Sequence, residues 1–292
     1  MKNFAFTFGS LKSTFFSLTA VFLLMLTACD SNDELVSTEI SSAITSDEAV
    51  LDSYFEDTDD VVFEANDKVA ATNGRSAMDD DESLTRCAEI IHDAENKTIN
   101  IDFGDGCEGP GGKIRSGKII ITYTDRKYLP GAIWVYTLED YTVNGIALEG
   151  TKTLTNVTGI EHDYLSFNKL LEGGKATWPD GSFATREVNK TFTWIRASRP
   201  VNDEFHVEGA ASGITKDGVA YEVGIVSKLI YKRKCRRAGV HIAVQGLKSV
   251  VKGDEEVLID FDDGECDNLV TITKNGESEM VDLTDKSRDR NS

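Results

Sequence analysis

Thr98-Ile99-Asn100-Ile101-Asp102-Phe103 alternates apolar and polar residues without a break, the period of a strand that turns one face to a core and the other to water. Glu256-Val257-Leu258-Ile259-Asp260-Phe261 keeps the same rhythm apart from Leu258. Between these two stretches, runs rich in Val, Ile, Thr and aromatics fall at Lys118 to Thr124, Ala132 to Val143, Phe183 to Ile195, Val219 to Tyr231 and Gly239 to Val250. Such residues suit a pleated, half-buried surface. Turn formers separate them: Asn144-Gly145, Pro179-Asp180-Gly181, Asp217-Gly218 and Asn275-Gly276,. No helical pattern of useful length interrupts the series. The expected fold class is all-β, an antiparallel meander of about a dozen strands folded as a sandwich or a wide barrel. The string from Asn144 to Thr153 lines one sheet face with threonine, which implies a surface open to water or to a partner.

Cysteines bracket this series. Cys87 and Cys107 sit about a midpoint at Lys97, inside the turn-like Glu95-Asn96-Lys97, and the midpoint of Cys235 and Cys266 falls just before Lys252-Gly253-Asp254. Each pair would face itself across a hairpin, so the expected disulfides are Cys87 with Cys107 and Cys235 with Cys266, the default for an even cysteine count in an exported chain. The second cysteines end similar strings, Ile101-Asp102-Phe103-Gly104-Asp105-Gly106-Cys107 and Ile259-Asp260-Phe261-Asp262-Asp263-Gly264-Glu265-Cys266, a degenerate internal repeat at the two ends of the β region. The same pairing would bring Lys232-Arg233-Lys234-Cys235-Arg236-Arg237 against Asp260, Asp262, Asp263, Glu265 and Asp267, opposite charges in one place.

Upstream of the β region the pattern changes. Ser46-Asp47-Glu48 reads as an N-cap with acids in the first turn, and Val50, Leu51, Tyr54 and Phe55 follow near helical spacing,. The expectation is one amphipathic helix from Ser46 to about Ala71, docked on the β domain or free, then a loose linker from Asn73 to Glu82. The chain of 292 residues has a formal net charge of −19. Residues 30–82 hold 17 acids against Lys68 and Arg75, so most of the negative field lies in this stem, which makes nucleic acid an unfavourable partner.

At the N-terminus, Lys2 and Lys12 precede an uncharged run from Phe15 to Ala28, the layout of a secretory signal and too short for a membrane span. Leu26-Thr27-Ala28-Cys29 resembles the lipobox of bacterial lipoproteins. The resemblance implies cleavage between Ala28 and Cys29 and lipid on Cys29, whose acyl chains would hold the protein on a membrane. Asp30-Ser31-Asn32-Asp33-Glu34 looks like the acidic export tract behind the lipidated cysteine in Bacteroidota lipoproteins, which implies the outer membrane and exposure at the cell surface. These landmarks, with Asp-Phe-Gly-Asp-Gly-Cys, Val-Asn-Gly-Ile before Glu-Gly-Thr-Lys-Thr, Thr-Trp-Pro-Asp-Gly and Asp-Asp-Gly-Glu-Cys-Asp-Asn, are similar to a family of β-rich Bacteroidota lipoproteins with no known activity to transfer. The resemblance spans most of residues 29–283. The expected organisation is a signal at 1–28, an acidic stem at 29–82, a β domain at 83–283 and a disordered charged tail at 284–292.

Motifs for chemistry are sparse. Gly112-Lys113-Ile114-Arg115-Ser116-Gly117-Lys118 has the glycine and lysine spacing of a phosphate loop, but Ile119 stands where the magnesium-binding hydroxyl belongs and a strand follows,. Asp260, Asp262, Asp263, Glu265 and Asp267 are the calcium candidates, without EF-hand spacing. His92, His162, His206 and His241 are scattered, unlike zinc ligands. Trp134, Trp178 and Trp194 could stack on sugars, although tryptophan on strands is usually core. The expected function is a lipid-anchored, non-enzymatic envelope protein with no cofactor, presenting a β domain to an envelope glycan or protein. The alternative is a surface glycan-processing enzyme whose paired carboxylates are unassigned.

Overall fold

The computed structural model describes residues 31–71, 83–159 and 164–283. A long helix, α1 (Ser31–Ala71), precedes fourteen strands: β1 (Glu89–Asp93), β2 (Thr98–Asp102), β3 (Cys107–Glu108), β4 (Ile114–Tyr123), β5 (Ile133–Val143), β6 (Ile146–Asn156), β7 (Leu165–Thr177), β8 (Phe183–Ile195), β9 (Glu204–Ile214), β10 (Ala220–Lys232), β11 (Gln245–Lys252), β12 (Glu255–Asp263), β13 (Leu269–Lys274) and β14 (Glu277–Asp282). A short helix, α2 (Arg233–Arg237), lies between β10 and β11. The strands pair antiparallel in chain order within one open sheet, with β3 alongside β4 and off the main path. The meander is the one that the turn spacing implies. In place of a facing second sheet, α1 fills the inner face, and Leu51, Phe55, Val61, Val62 and Ala65 share a single core with strands from β2 to β13.

The sheet can curl around a helix because its long strands are bulged in line. Register shifts fall between Ser116 and Lys118 of β4, Thr137 and Thr142 of β5, Glu149 and Thr151 of β6, and Leu171 and Gly174 of β7. Each bulge adds local bend and twist, and a row of them across neighbouring strands gives a trough. Gly117 is required at this line: its φ is +78°, and a Cβ there would lie 2.2 Å from the Asp140 carbonyl oxygen,.

Both cysteine pairs are at bonding distance, with Cα atoms 5.8 Å apart for Cys87 and Cys107 and 4.9 Å for Cys235 and Cys266. Lys97, at φ 54°, turns the β1–β2 hairpin, and Gly253, at φ 61°, turns β11–β12. The threonine face is also present. Thr151, Thr153 and Thr155 point away from α1 with Thr137 paired to Thr151, while Lys152, Leu154 and Asn156 point inward and are buried.

Several expectations need correction. The helix is already formed at Ser31, the first described residue, so Ser46 lies within it and is no N-cap, and it runs on to Ala71 as expected. Gly239 to Val244 is not strand, and β11 starts only at Gln245. β7 and β9 are not among the expected runs, although Leu165-Ser166-Phe167-Asn168 and Phe205-His206-Val207-Glu208 alternate apolar and polar residues. β7 contains Glu172-Gly173-Gly174-Lys175 and β9 contains Gly209-Ala210-Ala211-Ser212-Gly213, and pairing on both edges overrides their weak propensity,. The lipobox, the Asn73 to Glu82 linker and the tail from Thr284 lie outside the described residues. Among those residues, no helix is long and apolar enough to cross a membrane.

Candidate functional site

Helix geometry at about 3.6 residues per turn sorts the side chains of α1 into sectors. Leu51, Phe55, Thr58, Val61, Val62 and Ala65 form the buried arc. Asp57 and Glu64 flank it on one side, and Asp52 and Asp59 flank it on the other. Among the described side chains of α1, the exposed sector is that of Glu56, Asp60 and Asp67. A helix this deeply seated must bring its flanking carboxylates against the walls of the trough. There they would be costly without cations to meet them.

The sheet supplies those cations at inward-pointing positions that alternation would otherwise fill with apolar residues. On one wall, β4 places Arg115 against Asp57, with Nε donating to Oδ2 at 2.9 Å and Nη2 to Oδ1 at 2.6 Å; Lys113 adds a third contact at 2.9 Å. Arg115 is 1% exposed, so this two-pronged pair is dry. On the other wall, Arg186 and Lys190 of β8 hold Asp52. Lys152 of β6 and Lys169 of β7 hold Asp59, which also accepts a hydrogen bond from the Tyr136 hydroxyl. Lys152 further donates to the Phe55 carbonyl at 2.6 Å. Near the helix end, Glu64 accepts from the Leu84 and Thr85 amides and from the Ser83 and Thr85 hydroxyls. That contact ties the returning chain to α1.

Electrostatics follow from this geometry. Burial works to raise the pKa of Asp59, but the Lys152 and Lys169 ammoniums win and lower it to about 2,. Asp52 is held far below the ordinary range in the same way, its burial outweighed by Lys190 and Arg186. Burial pushes the Tyr136 phenol well up, with the Asp59 charge adding to it. Glu56 reaches solvent at the mouth of the trough, yet the protein crowding around it strips water. With Asp52 beside it, its carboxyl rises to about 7. Lys127, buried on the β4–β5 connection, has its Nζ 4.1 Å from the Phe63 ring centroid and no ion pair among the described residues. Burial lowers its pKa to about 8, and the cation–π contact fixes it over the helix.

The space left between Asp52, Glu56, Asp59, Lys152, Lys169 and Lys190 is about 40 Å³, room for a few waters. Such a seam can hold a helix and exchange protons with water. It offers no volume for a sugar ring.

The residues singled out from sequence are dispersed. Ala28 and Cys29 are outside the described residues. The run resembling a phosphate loop is the start of β4, where Lys113 and Arg115 serve Asp57 and Lys118 pairs with Asp102 at 3.2 Å. Asp260, Asp263 and Asp267 cap their own turns, accepting from the amides of Asp262, Glu265 and Leu269. No group of three metal-ligating side chains gathers among the described residues. His92 meets the Tyr123 hydroxyl, and His206 meets Glu204. Trp134 is core; Trp194 donates to Asp203 and lies under Arg196.

The expected pairing of the basic cluster with the aspartate-rich strand is corrected. Arg233 pairs with Asp203 at 3.3 Å, and Lys232 donates to the Gly264 carbonyl at 2.7 Å. Asp260, Asp263 and Asp267 are occupied by backbone amides of their own turns and Asp262 by the Thr271 hydroxyl at 3.4 Å,.

Sequence reading missed Lys152, Lys169, Arg186 and Lys190. A signal was there: Asp52, Glu56 and Asp59 recur at helical spacing, and Arg186, Val188, Lys190, Phe192 and Trp194 recur at strand spacing on one face,. No protein-family model, curated protein or solved structure matches this chain.

Proposed function

We propose that the chain is a lipid-anchored envelope protein whose β domain serves a non-enzymatic binding or structural role at the outer membrane. One observation carries the reading: α1 is already helical at Ser31, the first described residue, and by Leu51 the same helix is in the core of the sheet. Twenty residues of helix span about 30 Å. A lipid on Cys29 would therefore be joined to the domain through a continuous helix clamped by ion pairs on both flanks, a handle of defined length. At the seam, Asp52 and Asp59 are taken up by cations around a space of water size, and Asp57 is taken up on the opposite wall, so these carboxylates serve the docking of the helix.

The test is Cys29→Ala in the producing cell. The wild type should partition into detergent and sediment with membranes, and its mass should carry acyl chains. The variant should keep an uncleaved signal or appear soluble, without the acyl mass. Identical mass and partitioning for both proteins would end the proposal.

A further inference from the structure

The trough is not filled at its first edge. β1 is paired only with β2, and its residues Ile90 and His92 stand opposite the buried Ile101 and Ile99. Between Ile90, His92 and the last turns of α1 lies a cleft of about 340 Å³. The helix lines it with Lys68 and Val69, and the chain leading into β1 lines it with Thr85, Arg86 and Ala88. That volume is at the lower end of the range for small-molecule sites.

The floor of the cleft is apolar. Val69, Ala88 and Ile90 are half-buried and pack on the common core. Its charge is small and positive. Lys68 donates to the Ser83 hydroxyl at 2.6 Å and is partly offset by Glu64 at 3.6 Å. Arg86 is exposed, its Nε donates to the Glu108 carbonyl at 2.9 Å, and it has no ion pair among the described residues. That bond orients the guanidinium plane and leaves its Nη groups for a carboxylate. The wall stands before any ligand arrives. Glu64 holds the amide and hydroxyl of Thr85, and Cys87 is bonded to Cys107 of β3, which pairs with β4. A preformed wall lowers the ordering cost of binding.

We infer that this cleft binds a small monocarboxylate with an apolar body, its charge on Arg86 and Lys68 and its body on Val69, Ala88 and Ile90. The inference goes beyond the anchored role proposed above and holds whether or not Cys29 carries lipid. Charge selects a monoanion. Lys68 and Arg86 against Glu64 leave a small positive surplus, and a polyanion would bring its excess charge against a chain of net charge −19,. Size selects a single small molecule over a peptide laid along the cleft. The floor selects a hydrocarbon body, which an inorganic anion lacks and which a run of acids such as Asp79-Asp80-Asp81-Glu82 does not supply,.

The test is calorimetric titration of the full chain in non-ionic detergent with octanoate, blanked against protein-free micelles. Acetate is the arm without the body, and octanamide is the arm without the charge. Octanoate should bind at least about tenfold more tightly than either. Arg86→Gln should weaken octanoate at least about tenfold with an unchanged melting point, since Arg86 is exposed and lies outside the core,. Ala88→Leu, which fills the floor and keeps both cations, should abolish binding. Lys216→Gln, an exposed cation elsewhere, should bind like the wild type. The inference is overturned by acetate or octanamide binding as tightly as octanoate, by an octanoate affinity unmoved in Arg86→Gln or in Ala88→Leu, or by no binding to a protein with both disulfides intact. Tighter octanoate binding by Asp79→Asn/Asp80→Asn/Asp81→Asn also overturns it, because the chain's own acids would then be the occupant. None of these outcomes alters the partitioning of Cys29→Ala, so the two proposals fail separately.

Discussion

Arg115→Met is expected to destabilise the protein by about 3–5 kcal/mol, because it leaves the Asp57 carboxylate buried with Lys113 as its one remaining cation,. Asp57→Leu should cost a similar amount, about 3–5 kcal/mol, by leaving a guanidinium that is 1% exposed without its carboxylate,. Set against a usual stability of about 5–15 kcal/mol, either single change threatens folding. The double variant Asp57→Leu/Arg115→Met should recover most of the loss. Its two apolar side chains fill similar volume beside Tyr141 and need no solvation. Urea midpoints for the four proteins measure this directly. If the double variant is as unstable as the sum of the singles, the pair is not coupled, and the picture of α1 clamped by its flanking acids loses its strongest member.

Much of the architecture could be read in the chain because strand alternation, Asn-Gly and Asp-Gly turns and hairpin-centred cysteines are local signals. The β5–β6 turn at Asn144-Gly145 and both disulfides needed no knowledge of distant contacts. The trough is different in kind. Lys152 and Lys190 occupy inward positions where an alternating strand predicts apolar residues, and only the arrival of α1, over ninety residues away in sequence, makes them sensible. The same holds for Gly173 and Gly174, which weaken β7 as a local strand but let it bend with its neighbours,. Charge pairing was misjudged around α2 for the opposite reason. Complementary composition suggested Asp260 to Asp267 as partners, but short aspartate side chains reach their own turn amides more readily than a facing arginine,. The acidic surplus of the first segment, legible as charge, was legible as a docking stripe only through its spacing at residues 52, 56 and 59.

The seam also dictates a pH dependence with two limbs. Asp59 has a folded pKa lowered to about 2, its burial overcome by Lys152 and Lys169. For a carboxylate depressed by folding, the unfolded chain binds more protons between the two pKa values, so stability is complete above roughly pH 4 and drains away as pH falls through 2. The shift corresponds to on the order of 2 kcal/mol, and Asp52, lowered in the same direction, adds to the loss. Glu56 behaves oppositely. Crowding and the Asp52 charge raise it to about 7, so its contribution is present below the unfolded value of 4.5 and is lost as pH rises through 7,. Asp60, exposed like Glu56 but raised by the protein crowding around it and by the Asp59 charge, has the same sign. Chemical denaturation from pH 2 to 8 should therefore show a maximum near pH 4.5 to 5, a steep acid limb and a shallow decline toward neutrality. Glu56→Gln should flatten the neutral limb and leave the acid limb in place. Asp59→Asn should do the reverse, removing much of the acid limb while lowering stability at pH 5, since Lys152 would lose the counter-charge that keeps it buried as a cation. A wild-type profile that rises monotonically to pH 8, or a Glu56→Gln profile superimposable on it, would show that the exposed sector of α1 does not feel the buried one. The helix would then be held by its apolar arc and the ion pairs of Asp52, Asp57 and Asp59, with no part played by Glu56.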